Sequence, residues 1–250
     1  MANPVLNENI FRKQSFSYAQ SDVMTVGGTA TKTLLMLLMV VAGAAYTWKL
    51  YYNAINPQSI TGWMMGGLLG AFVLAMIISF KPKTAPFLAP IYAAGEGLAL
   101  GGISAIFNEQ FALTYPNIVT NAVALTLVTA LVMFTVYRSG LVKVNGKFTK
   151  VLHIALISIM VFYLGSWIVS LFGVNLSMLH NSSPLSIGIS LVIVGVAAFS
   201  LLMDYEFITR ASAAGAPKYM EWYGAFGITV TLVWLYLEIL KLLAKFANRE

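Results

Sequence analysis

The sequence predicts an all-α integral membrane protein: a bundle of seven transmembrane helices with its N-terminus in the cytoplasm and its C-terminus outside. Three observations predict this fold class: an apolar composition, seven apolar segments of membrane-spanning length, and an alternation of basic and nearly uncharged loops. Of the 250 residues, 59% are hydrophobic and 10% are charged. A soluble domain is about half apolar and about a quarter charged.

Each of the seven apolar segments is long enough to cross ~30 Å of hydrocarbon, which takes roughly 20 helical residues. Asn, Pro and Gly residues, which favour turns, separate the segments. One uncharged stretch, residues 151–203, is too long for a single span and is predicted to turn back at residues 175–184. The predicted spans are residues 33–53, 60–80, 86–107, 117–138, 148–172, 185–208 and 222–246.

The loop charges predict the orientation. Eleven of the 15 Lys and Arg residues lie before the first span, or in the loops after the second, fourth and sixth spans and at the span ends beside those loops. Basic loops stay in the cytoplasm, so the N-terminus is predicted to be cytoplasmic and the chain to be a multi-pass protein of the inner (plasma) membrane. Residues 1–32 are expected to form a polar, mobile tail, and residues 33–250 a single transmembrane domain.

Glycines at a spacing of four residues predict close helix packing in lipid. Gly62, Gly66 and Gly70 form such a series in the second span, and Gly97 and Gly101 form another in the third span.

Several functional classes are excluded or disfavoured by what the sequence lacks. The absence of cysteine excludes disulfides, thiolate metal sites and cysteine nucleophiles. The basic residues form no dense patch of the kind that binds nucleic acid. Phosphate-binding loops, zinc-protease motifs and nucleophile elbows are not found either. We therefore expect neither an enzyme nor a bound cofactor, with a calcium ion as the one candidate ligand.

Acidic residues at membrane depth are the main candidates for a functional site. A charge at the bilayer centre costs at least ~2.5–3.5 kcal/mol, so such residues usually face a partner or a water-filled cavity. At 1.5 Å of rise per residue, Glu96, Asp204 and Glu221 lie roughly 10–16 Å from the cytoplasmic turns, in one layer. Glu238 lies roughly 36 Å along the last helix, near the outer surface.

These depths suggest that Glu96 and Asp204 lie together. Loss of hydration and repulsion between like charges both favour the protonated form of a carboxyl group. Such a pair would hold a proton or bind a metal cation, and would make the protein sensitive to pH. Simpler alternatives remain for the other acids in the spans. Glu238 could be a surface acid paired with Lys241, Glu206 could reach water at a helix end, and Glu221 could pair with Lys218.

Five segments of the chain resemble a known family. Their sequences are MTVGGT at 24–29, APIYAAGEG at 89–97, LMD at 202–204, GAPKYMEWY at 215–223 and TLVWLYLEILKLL at 231–243. They are similar to a bacterial branch of the Bax inhibitor/YccA family. The resemblance covers nearly the whole chain after residue 20. It implies a seven-helix bundle with the last helix near its centre.

The resemblance also implies activities and a site. Some members of the family are pH-sensitive calcium leak channels, and others modulate a membrane-anchored AAA protease or stress-induced death. In the channel-type members, an acid on helix 6 pairs with an acid on helix 7 to sense pH. Asp204 matches the helix 6 acid. Matching the Leu-Tyr-Leu-acid motif makes Glu238 its partner, whereas matching the chain ends without a gap places Thr231 there.

The leading prediction is a pH-responsive cation leak channel or transporter, with calcium as a candidate ion. Asp204, Glu96, Glu221 and Glu238 are its predicted ion-binding or pH-sensing residues, and Asp204 and Glu96 are the predicted metal ligands. The alternative is a non-conducting regulator that binds a membrane-anchored protease or another stress-response partner through the N-terminal tail. A proton-coupled transporter of an unknown solute is a third alternative.

Overall fold

Seven long helices follow one another in the computed structural model, which describes residues 23–53, 59–172 and 181–249. All seven are long and apolar enough to cross a membrane, which confirms the predicted multi-pass fold. A short 3-10 helix, Pro82–Thr84, joins the second helix to the third. The seven helices are α1 (Val26–Asn53), α2 (Ser59–Phe80), α3 (Ala85–Gln110), α4 (Ile118–Ser139), α5 (Gly146–Leu171), α6 (Pro184–Ala213) and α7 (Met220–Ala247).

Most predicted helix ends lie within three residues of the observed ones, and two differ by more. Helix α1 begins at Val26, seven residues before the predicted start, because Thr25 caps it: the Gly28 N–H donates to Thr25 Oγ at 2.9 Å. Helix α6 continues to Ala213, past the predicted end at residue 208. Hydropathy marks the part of a helix that lies in lipid, and both helices extend beyond that part. Residues 1–22 of the predicted tail and 175–180 of the predicted reversal lie outside the described residues.

The described residues pack as two units. The α1–α3 unit comprises residues 23–110 together with 206–230, the end of α6 and the start of α7. The α4–α5 unit comprises residues 111–205 together with 231–249, and so includes most of α6 and the rest of α7. Among the seven spans, α7 is the most buried and α5 is the most exposed.

Within the α1–α3 unit, α3 packs against both α1 and α2. The predicted glycine contacts are confirmed for α3. A Cβ atom on Gly97 would lie 2.3 Å from the Val40 carbonyl oxygen of α1, and one on Gly101 would lie 2.2 Å from the Ala44 carbonyl oxygen. The two backbones therefore approach more closely than any larger residue would allow.

The prediction is wrong for the glycine series of α2. Cβ atoms built on Gly62, Gly66 and Gly70 would meet nothing within 4 Å among the described residues. The contact with α3 uses Gly67 instead, where a Cβ would lie 2.5 Å from the Gly95 carbonyl oxygen. The face of α2 that packs is thus one residue away from the face that the spacing indicated.

Within the α4–α5 unit, aromatic side chains join α6 to its neighbours. The Tyr205 ring meets the Phe134 ring of α4 edge-on, with centroids 5.5 Å apart. The Phe199 ring meets the Phe148 ring of α5 at 6.1 Å. Polar contacts join α6 to α7, and these form the candidate functional site.

Candidate functional site: the buried acids of α6 and α7

Asp204 is fully buried on α6 and accepts a hydrogen bond from α7. The hydroxyl of Thr231, itself buried, donates to Asp204 Oδ2 at 2.6 Å. Thr231 is the residue that the ungapped match to the family places opposite the helix 6 acid. The contact between these two helices therefore joins an acid and a hydroxyl.

A threonine hydroxyl suits an acid that changes its protonation state. It can donate to a carboxylate and, after rotation about its C–O bond, accept from a protonated carboxyl group. Asp204 would therefore keep this hydrogen bond whether or not it carries a proton.

Glu238 lies two turns further along α7 and has its own partners. Tyr163 of α5 donates to both of its carboxylate oxygens, at 3.0 and 3.1 Å, and Trp234 Nε1 donates at 3.2 Å. Lys241 Nζ forms an ion pair with it at 2.8 Å. The predicted pairing with Lys241 is thus confirmed. The alternative of an exposed surface acid is wrong, because Glu238 is only 2% exposed. Its predicted depth near the outer side of the membrane stays a prediction.

Glu238 also lies at a different level from Thr231. The two residues are seven positions apart, which is roughly 10 Å along a helix. The polar side chains of this part of α7 recur every three or four residues, a spacing that places them on one face. The series is Thr231, Trp234, Glu238, Lys241 and Lys245. This periodicity is a second sequence signal for Thr231, beside the ungapped match to the family, and it would have drawn attention to Lys245.

Glu221, at the start of α7, is fully buried and is bound by α1. Thr25 donates to its Oε1 through the backbone N–H at 2.9 Å and through the hydroxyl at 3.0 Å. Lys32 forms an ion pair with Oε2. Lys218, the predicted partner, lies at the longer distance of 3.9 Å. A carboxylate at the N-terminus of α1 also complements the helix dipole.

The backbone before α1 is bound to the same region. Val23 pairs with Pro217 in an isolated antiparallel bridge. The Met24 N–H donates to the Ala216 carbonyl oxygen at 2.7 Å, and Ser212 Oγ donates to the Met24 carbonyl oxygen at 3.2 Å. Two of the segments that carry the family resemblance, 24–29 and 215–223, are therefore in direct contact. We call this cluster the N-terminal latch; it consists of residues 23–25, Lys32, Ser212, Ala216, Pro217 and Glu221.

The two remaining acids in spans differ in their surroundings. Glu96 is half-buried on α3, one turn after the buried Tyr92, and makes no hydrogen bond among the described residues of its unit. Glu206 forms an ion pair with Arg210 at 2.6 Å, on a partly exposed part of α6.

The predicted ion-binding set is thus distributed over both units. Asp204 and Glu238 belong to the α4–α5 unit, whereas Glu96 and Glu221 belong to the α1–α3 unit. The predicted pairing of Glu96 with Asp204, and the metal site built on it, stays a prediction. Across the part of the chain that the structure describes, no three His, Asp or Glu side chains gather in a way that could hold a metal ion.

Comparison with known proteins gives one match. Residues 3–248 match a family model described as Bax inhibitor 1 like. No curated protein and no solved structure matches the chain.

Proposed function

Because the chain belongs to the Bax inhibitor 1-like family, we propose that it is a pH-responsive cation leak channel or transporter of the inner (plasma) membrane. The buried contact between Asp204 and Thr231 is the observation that supports this proposal most directly. Ionisable residues inside a membrane are costly, and those that persist usually mark ion pathways or proton relays. Calcium is the first ion to test. The membership of a bacterial branch stays part of this proposal and rests on the sequence motifs.

Asp204 is a better candidate for the ion-binding or pH-sensing acid than Glu221 and Glu238, the other two buried acids. Glu221 and Glu238 are each neutralised by a lysine, Lys32 and Lys241 respectively. A carboxylate held by an ammonium group has less tendency to bind another cation. The group that Thr231 of α7 presents to Asp204 is a neutral hydroxyl and not an ammonium group.

Glu96, in the α1–α3 unit, is a second candidate acid, considered separately from Asp204. It is half-buried in α3 and has no hydrogen-bonding partner among the described residues of its unit. A transport role of this kind requires no catalytic residue and no resident cofactor, and we propose none.

The test is calcium efflux from proteoliposomes loaded with the ion, measured across a range of pH. We expect the wild-type leak to change with pH. Asp204→Asn removes the charge at nearly constant size, and should abolish the pH dependence. Thr231→Val removes only the hydroxyl, and should shift the pH of half-maximal leak. Glu206→Gln, on the partly exposed end of the same helix, is the matched control and should behave as wild type.

Two results would reject the proposal. A leak whose pH dependence is unchanged in both Asp204→Asn and Glu96→Gln rejects both acids as pH sensors. The absence of any leak from the wild-type protein at every pH rejects conduction.

A non-conducting regulator is the second candidate function, and the ion pairing of the other buried acids favours it. Lysines neutralise Glu221 and Glu238, which leaves few charges to line a cation path. The N-terminal latch also holds residues 23–25 beside the α6–α7 connection. In this reading the tail binds a membrane-anchored protease or another stress-response partner.

Deletion of residues 2–20 separates the two functions. A partner that co-purifies with the full chain and is lost on deletion, while calcium efflux is unchanged, would support the regulator. If the full chain co-purifies with no membrane protein after cross-linking, the regulatory role is rejected.

A further inference from the structure

Lys245 places a positive charge in the interior near the end of α7. The residue is only 8% exposed. Its ammonium group donates to Ser190 Oγ at 2.7 Å and to the Ser186 carbonyl oxygen at 3.4 Å. Lys245 forms no ion pair with any carboxylate among the described residues. Glu238, two turns earlier on the same face of α7, attracts Lys245 without forming an ion pair with it, and already forms an ion pair with Lys241. A buried ammonium that shares its carboxylate with a second lysine is disfavoured.

A hydroxyl group beside Lys245 also lacks a partner. Ser186 is fully buried, and its Oγ has no hydrogen-bonding partner in the part of the chain that the structure describes. Ser186 and Ser190 are four residues apart on α6 and therefore lie on the same helix face, the face whose atoms contact Lys245. Buried hydroxyl groups are nearly always hydrogen-bonded. The Ser186 hydroxyl thus supplies a donor that no described group uses.

The start of α6 adds a third positive feature. The helix begins at Pro184, and the Ser183 hydroxyl accepts from the Ser186 N–H at 3.2 Å. Ser186 therefore lies in the first turn, where the helix dipole is positive. A lysine at this end of a helix increases the positive potential instead of offsetting it, and helix N-termini of this kind bind anions.

We propose that Lys245, Ser186 and Ser190 form a binding site for a small monovalent anion such as chloride, between the start of α6 and the end of α7. The anion would neutralise the ammonium group and accept a hydrogen bond from the Ser186 hydroxyl. The burial of all three residues favours a small ligand over a large one. The site does not depend on the proposed transport of cations.

The test is chloride titration of the purified full-length protein, with gluconate replacing chloride at constant ionic strength. We expect chloride and bromide, but not gluconate, to raise the thermal unfolding midpoint and to do so saturably. The chloride-35 NMR resonance should broaden in parallel. Lys245→Met should weaken chloride binding about tenfold or more, the loss expected for a hydrogen bond to a charged group. Lys143→Met is the control, because Lys143 is an exposed lysine in the α4–α5 connection, and it should keep the wild-type affinity.

Ser186→Ala keeps the charge and loses only the free hydroxyl, so it tests the site even if Lys245→Met does not fold. It should weaken chloride binding roughly threefold to tenfold. The proposal is overturned if gluconate stabilises the wild-type protein as well as chloride does. It is also overturned if Ser186→Ala binds chloride with unchanged affinity.

Discussion

Position 28 is fixed as glycine by a carboxylate that occupies the place of a Cβ atom. A Cβ built on Gly28 would lie 2.2 Å from Glu221 Oε1. The neighbouring Gly27 has nothing within 4 Å of the same point. The two glycines are adjacent in sequence, yet only one of them is required by packing, because only one faces the N-terminal latch.

We therefore predict that Gly28→Ala destabilises the protein by about 1–3 kcal/mol, the usual cost of inserting a methyl group into a well-packed site. Gly27→Ala should be neutral or slightly stabilising, because alanine favours a helix more than glycine does. The free energy of unfolding in mixed detergent micelles measures both effects. Equal stability of the two variants would contradict the close contact with Glu221.

The ion pair of the latch gives a second prediction at this scale. Glu221 is fully buried, and the Lys32 side chain is only 18% exposed. Removing one partner of a buried pair costs about 3–5 kcal/mol, because the other charge stays buried alone. Glu221→Gln should lose about this amount. Glu206→Gln, which breaks a pair with the exposed Arg210, should lose about 0–1 kcal/mol. If urea unfolding in micelles gives similar losses for both variants, the latch is not the stabilising contact described here.

At the scale of helices, the sequence predicted the existence of each element better than its contacts. Hydropathy is a local property, so seven spans could be identified one at a time. The start of α1 was missed because residues 26–32 are mostly small or polar and so do not look like part of an apolar span. The hydrogen bond that caps the helix at Thr25 is visible only in the structure. The face of α2 that packs was predicted wrongly, because glycine spacing alone does not show whether Gly66 or Gly67 faces a neighbour. The position of α3 determines that it is Gly67.

The glycines of α2 and α3 provide the test of this register. Gly97→Ala would bring a Cβ within 2.3 Å of the α1 backbone, and backbone cannot move aside as a side chain can. We expect a loss of about 1–3 kcal/mol from overpacking. Gly66→Ala, in an open position with the same spacing signal, should not destabilise. Resistance to thermal aggregation in detergent reports the difference, and a Gly66→Ala variant that is the less stable of the two would reverse the assignment.

The same limit applies to the candidate site. Asp204 could be identified from the sequence, because an acid inside an apolar span is costly wherever it points. The family resemblance offered Thr231 and Glu238 as alternative partners of Asp204, and the residues alone could not choose between them. The lysine partner of Glu221 could not be derived, because Lys32 and Glu221 are far apart in the chain. Depth along a helix did separate Glu238 from Asp204 correctly. It could not show that Tyr163 and Trp234 would bury Glu238.

For the whole molecule, seven spans require the two termini to lie on opposite sides of the membrane, and the loop charges choose which side is which. Every backbone polar group in lipid must be hydrogen-bonded within the protein, so each long apolar segment forms one helix. The number of spans can therefore be counted from the apolar segments of the sequence. The direction of insertion depends on a few lysine and arginine residues. The side of the membrane on which each loop lies can be measured directly.

The absence of cysteine allows that measurement on an otherwise native chain. Leu113 lies in the α3–α4 connection and Leu141 in the α4–α5 connection, and they are 99% and 78% exposed. We predict that a membrane-impermeant maleimide labels Leu113→Cys in intact cells, and labels Leu141→Cys only after the membrane is permeabilised. Each variant is the control for the other, since both replace an exposed leucine in a loop. The reverse pattern would invert the topology, whereas labelling of both in intact cells would mean that α4 does not cross the membrane.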